Sequence, residues 1–279
     1  MFIAMGGKQS AVLFILNRNR CNLLIKLMHS LKLIARIFYG AGIAGIGALH
    51  FFYPGFRPVI LPVPPAATMH LSVLVYVTGV FLLITGLLIA FGKYVHTTAL
   101  LLALILFLFF VGGHLPNRLT NMINVLGAWT DALKLLALCG GALIVARAFP
   151  GNANTGFMHT LYKTSFLGRY FFGLMLLLFG IDHFLYTDLV KTLVPAWIHG
   201  ALFWTYVAGI ALIGAGFSFI TNIKRKPVAL LAGTMLFLWL ILLHIPRAVT
   251  MDTSTDPNEI VSMFECLAFS GMALLLYFE

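Results

Sequence analysis

Four histidines, His50, His114, His183 and His244, each close a long apolar run, and an imidazole at such a position has three chemistries open to it. It can fix helix depth by bonding a carbonyl or a lipid headgroup. It can line a pocket for a polar head such as a quinone carbonyl, donating a hydrogen bond to the oxygen. It can also ligate a metal or a haem, although no i, i+4 ligand pair is present to favour this. Arg118 and Arg247 follow His114 and His244 by four and three residues and would add cationic donors, and Asp182 precedes His183. The ligand-binding candidates are therefore His50, His114, His183, His244, Arg118 and Arg247, with quinone ahead of haem as the bound group and no metal site or catalytic residue assigned.

The remaining polar residues read more plainly. Asp131 and Lys134 are spaced i, i+3 on one helix face, where they would neutralise each other. Glu265 has no such neighbour and is expected to protonate, to pair across helices or to stay near the headgroups. His70, His96, His159 and His199 fall in loops or at span ends and read as solvated, and His29 precedes the first span. Cys21, Cys139 and Cys266 form no C-x-x-C pair, so exchange of thiols is not indicated.

The elements that position these groups follow from composition. Apolar residues make up 61% of the chain and charged ones 9%, too few to cover a water-facing surface. A bilayer needs about 20 apolar residues per helical span. The chain offers Leu33–Phe52, Leu71–Phe91, Thr97–Leu115, Ala128–Phe149, Arg169–Tyr186, Ala201–Thr221, Val228–Ile245 and Ile260–Phe278. Their Leu, Ala, Gly and Phe content suits helices rather than barrel strands of alternating polarity. The expected fold is all-α, with eight transmembrane helices, and the joints leave no room for an extramembranous catalytic domain.

Basic residues in short loops are held on the cytoplasmic side. Lys8, Arg18, Arg20, Lys26, Lys32, Arg36, Lys93, Arg147, Lys163, Arg169, Lys224, Arg225 and Lys226 fall on the side of the N-terminus, while Arg57, Arg118, Lys191 and Arg247 fall opposite. Both termini should then be cytoplasmic, and this bias accounts for most of the net charge of +10 without a nucleic-acid partner. Residues 1–27 leave two readings open, an interfacial amphipathic segment or an upstream extension of a chain whose functional start is Met28. Met1–Leu16 resembles a signal sequence only faintly, because Arg18 and Arg20 follow the apolar run.

The same residue types return along the chain, as a duplicated module requires. Arg36-Ile-Phe-Tyr-Gly40 is echoed by Arg169-Tyr-Phe-Phe-Gly173, His50-Phe51 by His183-Phe184, Tyr76-Val77-Thr78-Gly79 by Tyr206-Val207-Ala208-Gly209, and His114-Leu115-Pro116 by His244-Ile245-Pro246. The expected units are a basic extension at 1–32, a four-helix module at 33–149, a cytoplasmic linker at 150–168 and a second module at 169–279. An even number of spans per unit makes this a parallel rather than an inverted repeat.

An Arg opening a Gly-rich first helix that ends in His-Phe, a Pro-containing outer loop, a third span ending in His-Leu-Pro or His-Ile-Pro and a fourth carrying Gly140-Gly141-Ala142-Leu143 together resemble the DoxX-like family of four-helix membrane proteins. The resemblance covers residues 34–148 and again 166–277, two copies where that family has one. It implies a bacterial inner membrane, membrane lipids and a redox or envelope protein as partners, and a quinone-linked accessory role. The alternative is a small-solute or ion transporter using the cleft between the two halves.

Overall fold

The computed structural model describes residues 5–62, 71–151, 156–253 and 257–279, with side chains described from residue 22 onward. Every regular element among them is helical. Helix α1 spans Met5–Phe52, and it is followed by α2 (Ser72–Phe91), α3 (Val95–Asn121), α4 (Leu126–Ala148), α5 (Gly156–Leu185), α6 (Ala201–Thr221), α7 (Arg225–Thr250) and α8 (Asn258–Phe278). Each is long and apolar enough to cross a membrane, α1 over Asn22–Phe52, and the protein is an all-α polytopic membrane protein. The readings of residues 1–27 fall mostly on side chains outside the described residues, as does the placement of His70.

Where the helix bounds differ from the sequence reading, proline chemistry and local caps explain the difference. The third and seventh spans do not stop at Leu115 and Ile245 but run on to Asn121 and Thr250. Pro116 and Pro246 lack an N–H and would clash with the carbonyl four residues back, and the helix absorbs this by widening to π turns at Phe110–His114 and Leu240–His244. Residues 150–168, expected as a linker, are helical from Gly156 onward and lead directly into α5. Gly92, at φ 78°, ends α2 in the left-handed conformation that a side chain resists, and its N–H turns back to Ile89 O at 3.1 Å.

Small residues set the packing, as they must where lipid supplies no hydrophobic force between helices. Helix α1 lies along α2, and a Cβ added at Gly40 would meet backbone atoms of Ala90 and Gly86 at 2.6 Å. Helix α5 lies along α6 in the same way, where a Cβ at Gly180 would come within 2.7 Å of Gly209 O. Two further close packings cross the boundary between the expected modules. Gly271 of α8 faces Ala35 and Tyr39 of α1, and Gly140 of α4 faces Gly168 of α5. Helices α4 and α8 run through the centre with most of their residues buried. The outer faces of α2, α3, α6 and α7 carry exposed Val73, Phe107, Ile210 and Leu231, the surface that lipid would cover.

Candidate functional site

The end of the bundle where α1 finishes holds the four candidate histidines in two kinds of setting. His50 is buried on α1, and its Nδ1 lies 2.9 Å from Ile46 O. A carbonyl only accepts, so Nδ1 carries the proton and Nε2 is an acceptor; that Nε2 is buried without a partner. His183 repeats this bond on α5, with Nδ1 donating to Phe179 O at 2.7 Å, and its ring stacks on Trp239 of α7.

His114 and His244, each the last residue of a π turn, differ more. The Nε2 of His114 donates to Val59 O at 3.1 Å, in the outer segment that follows α1. That segment is folded inward. Phe56, Arg57, Val59 and Ile60 are buried, Arg57 donates to the carbonyls of Pro54 and Gly55 at 2.9 Å, and Phe56 meets the edge of His50. His50 and His114 thus grip one plug of outer loop. His244 has no such loop bond: its Nδ1 is buried and unpartnered, and the segment after α5 forms a short exposed helix at Thr187–Val190 instead. The two arginines also part. Arg247 is engaged by Glu259 through both Nε, at 3.0 Å, and Nη2, whereas the Nε of Arg118 is buried without a partner.

The charges of the interior meet at the contact between α4 and α8. Lys134 Nζ lies 2.9 Å from Glu265 Oε2 and 3.9 Å from Asp131. The expected Asp131–Lys134 neutralisation is therefore secondary, and Glu265 has taken the cross-helix option. It satisfies only half of the carboxylate, because Glu265 Oε1 is buried and bare. His114 lies within the field of Asp131 and Arg118, and His244 within that of Lys134, Glu259 and Arg247. The same end of α3, α4, α7 and α8 accordingly holds these polar groups in an apolar surround. Bare buried groups of this kind each cost about 1–3 kcal/mol, so a ligand that bonded them would gain from their desolvation already being complete.

A pocket of about 230 Å³ opens between α4, α5 and the turn before α4, lined by Ile123, Asn124, Leu126, Trp129, Leu133 and Leu178. None of the four histidines lines it. Among the described residues no three of His, Cys, Asp and Glu converge as metal ligands would. Cys139 and Cys266 are buried thiols bonded to Ala103 O and Leu236 O.

Two residues stand differently from the sequence reading. His96, read as solvated, is 7% exposed, bonds Ala146 O at 3.1 Å through Nδ1 and packs on Tyr162. Arg57, counted only as an outer charge, anchors the loop plug. A Pro54-Gly55 corner just before it was the available signal, since free carbonyls at such a corner want a fixed donor. Set against protein-family models, curated proteins and solved structures, the chain matches none.

Proposed function

We propose that this chain is a DoxX-like accessory subunit of a quinone-linked redox system in a bacterial inner membrane, both termini cytoplasmic, and that its outer polar cluster receives the oxygen-bearing head of a quinone. The observation that carries this reading is the set of buried polar atoms without partners toward this end of the bundle: His114 Nδ1 and Arg118 Nε on α3, His244 Nδ1 on α7 and Glu265 Oε1 on α8. A quinone head offers carbonyl acceptors for the donors, and its reduced form offers hydroxyls for the acceptors. Of the six candidate residues, His114 and His244, each with a bare Nδ1, would meet the head together with Arg118, while His50, His183 and Arg247 would hold the walls.

The same reading takes the chain as a duplication fused head to tail. Its support is the return of whole contacts. The ring pair Phe51–Tyr76 corresponds to Phe184–Tyr206, the Gly140–Gly168 contact to Gly271–Ala35, and the Cys139 bond to Ala103 O to the Ser270 bond to Gly233 O. In that last register Lys134 falls on Glu265, so the central ion pair joins equivalent positions of the two halves. The transporter alternative needs a cleft along this seam, which Tyr39, Gly141, Met272 and the ion pair fill.

The test uses the purified full chain in lipid nanodiscs, titrated with a short-tailed ubiquinone and followed by tryptophan fluorescence. His114→Gln combined with His244→Gln should weaken binding by roughly tenfold or more, a lost hydrogen bond or two in a dry site, while thermal stability changes little. Unchanged affinity in a folded double variant sinks the assignment. For orientation, a cysteine at position 225 should be protected from an impermeant thiol reagent in intact cells.

A further inference from the structure

At the opposite end of the molecule from the histidines lies a second pocket, of about 280 Å³, lined by Arg147, Phe166, Arg169, Asn222, Arg225 and Glu279. Three guanidinium groups converge on it from the end of α4, the middle of α5 and the first residue of α7. Only one carboxylate side chain answers them, and it answers poorly. Glu279 Oε2 stands 4.0 Å from Arg147 Nε and 3.7 Å from Arg225 Nη1, beyond hydrogen-bond length, while Glu279 Oε1 is buried with no partner.

Arg225 is the anchor of this arrangement. Its side chain is 13% exposed and its Nε is buried and unpartnered. It is held there by the turn before it: Asn222 and Lys224 both adopt positive φ, at 65° and 51°, and Ser218 Oγ donates to Ile223 O. That turn starts α7 at Arg225, so the free backbone N–H groups and positive dipole end of a 26-residue helix face the same side. Arg169 lies over the ring of Tyr170 and donates to its hydroxyl at 2.7 Å, which fixes one face of the fork and leaves its other N–H groups.

A general excess of basic residues at a membrane edge does not produce this. In the first half, Arg36 stands where Arg169 stands in the second, but it donates to Ala90 O and covers the Phe149 ring. Val95, at the start of α3, occupies the position of Arg225. The arginine-lined pocket at the junction of α4, α5 and α7 therefore has no counterpart at the equivalent junction of α8, α1 and α3.

We infer that Arg147, Arg169 and Arg225 form a phosphate-binding site at the basic end of the molecule, with Arg225 as its bidentate anchor and the ligand a phospholipid headgroup or a free phosphate. Guanidinium forks match phosphate oxygens in pairs, and a dianionic or diester phosphate would bond the N–H groups that Glu279 leaves unused. This inference is independent of the quinone reading and concerns the other end of the helices.

The experiment uses the purified full chain in detergent with two probes, dioleoylphosphatidylglycerol and inorganic phosphate. Native mass spectrometry should find phosphatidylglycerol held by the wild type in preference to phosphatidylcholine, and Arg169→Gln with Arg225→Gln should lower that preference roughly tenfold. If instead inorganic phosphate alone raises the melting temperature of the wild type and not of the variant, the ligand is a free anion. Arg36→Gln should leave both readouts unchanged. Should the double variant fail to fold, Glu279→Gln keeps all three arginines and should hold either probe more tightly. Loss in Arg36→Gln equal to that in the double variant overturns the site, as does a folded double variant, or a Glu279→Gln variant, that behaves like the wild type.

Discussion

On the duplication proposed above, His114 and His244 stand at matching places in the two halves and serve different ends. In the first half His114 donates to Val59 O, and Arg57 ties the same loop down, so the imidazole is a structural strut. In the second half the segment after α5 forms a short helix at Thr187–Val190 and brings no carbonyl to His244, whose Nδ1, like that of His114, is buried without a partner. The difference teaches that a repeated residue is not a repeated role. What a buried imidazole does depends on whether a carbonyl is brought to it, and here the outer loop decides that.

In the register proposed above, the centre of the molecule carries opposite charges at equivalent positions. Replacing Lys134 by Met strands Glu265 among apolar residues, and breaking a buried pair on one side costs about 3–5 kcal/mol. Thermal unfolding in detergent should show a large drop, and the exchange Lys134→Glu with Glu265→Lys should recover most of it, since the pair is intact in either direction. If the exchange is as unstable as the single variant, surrounding groups such as Asp131 set the polarity and the two positions are not interchangeable. Lys134→Met with Glu265→Met should come close to the wild type.

Gly40→Ala drives a Cβ into the backbone of Ala90 and Gly86, which cannot give way as a flexible side chain would, and overpacking of this kind costs about 1–3 kcal/mol. Gly214→Ala meets nothing within 4 Å and should be neutral or slightly stabilising through helix propensity. A melting temperature lowered equally by both would mean that α1 and α2 are not as close as the packing requires. The histidines come third. His114→Ala leaves Val59 O buried and bare at a cost of about 1–3 kcal/mol, while His244→Ala removes a group whose Nδ1 already lacks a partner and should cost less.

Much of this architecture is legible in the sequence because the governing physics is local. Apolar runs of span length, the His-Leu-Pro and His-Ile-Pro ends and the Gly-rich faces each report on their own helix, and the eight spans follow from them. Long-range pairing is not local. Nothing in the spacing of Asp131 and Lys134 reveals that Glu265, on another helix, comes closer to the ammonium than Asp131 does. The π turns are half-legible: proline announces a disturbed carbonyl, but a helix can end there or widen, and the apolar residues beyond it do not say which. The sequence placed His50, His114, His183 and His244 near span ends; it could not show that the segment 53–62 folds onto His114 while no such bond is made to His244.

The smallest expected effect tests the resemblance of the halves where it is closest. Phe51 and Tyr76 stack at 6.0 Å between ring centroids, and Phe184 and Tyr206 at 5.4 Å, in both cases beside the histidine that bonds its own helix. An aromatic pair contributes about 0.5–1.5 kcal/mol beyond its area, and less where one ring is open to its surroundings, as Tyr76 and Tyr206 partly are. Tyr76→Leu and Tyr206→Leu should therefore lower stability by similar small amounts, and together by their sum, because the two pairs share no partner. A double variant that loses clearly more than the sum would show the outer ends of the two halves to be coupled. Equal single losses with additivity would instead leave the loop plug and its bond to His114 as the feature that sets the halves apart.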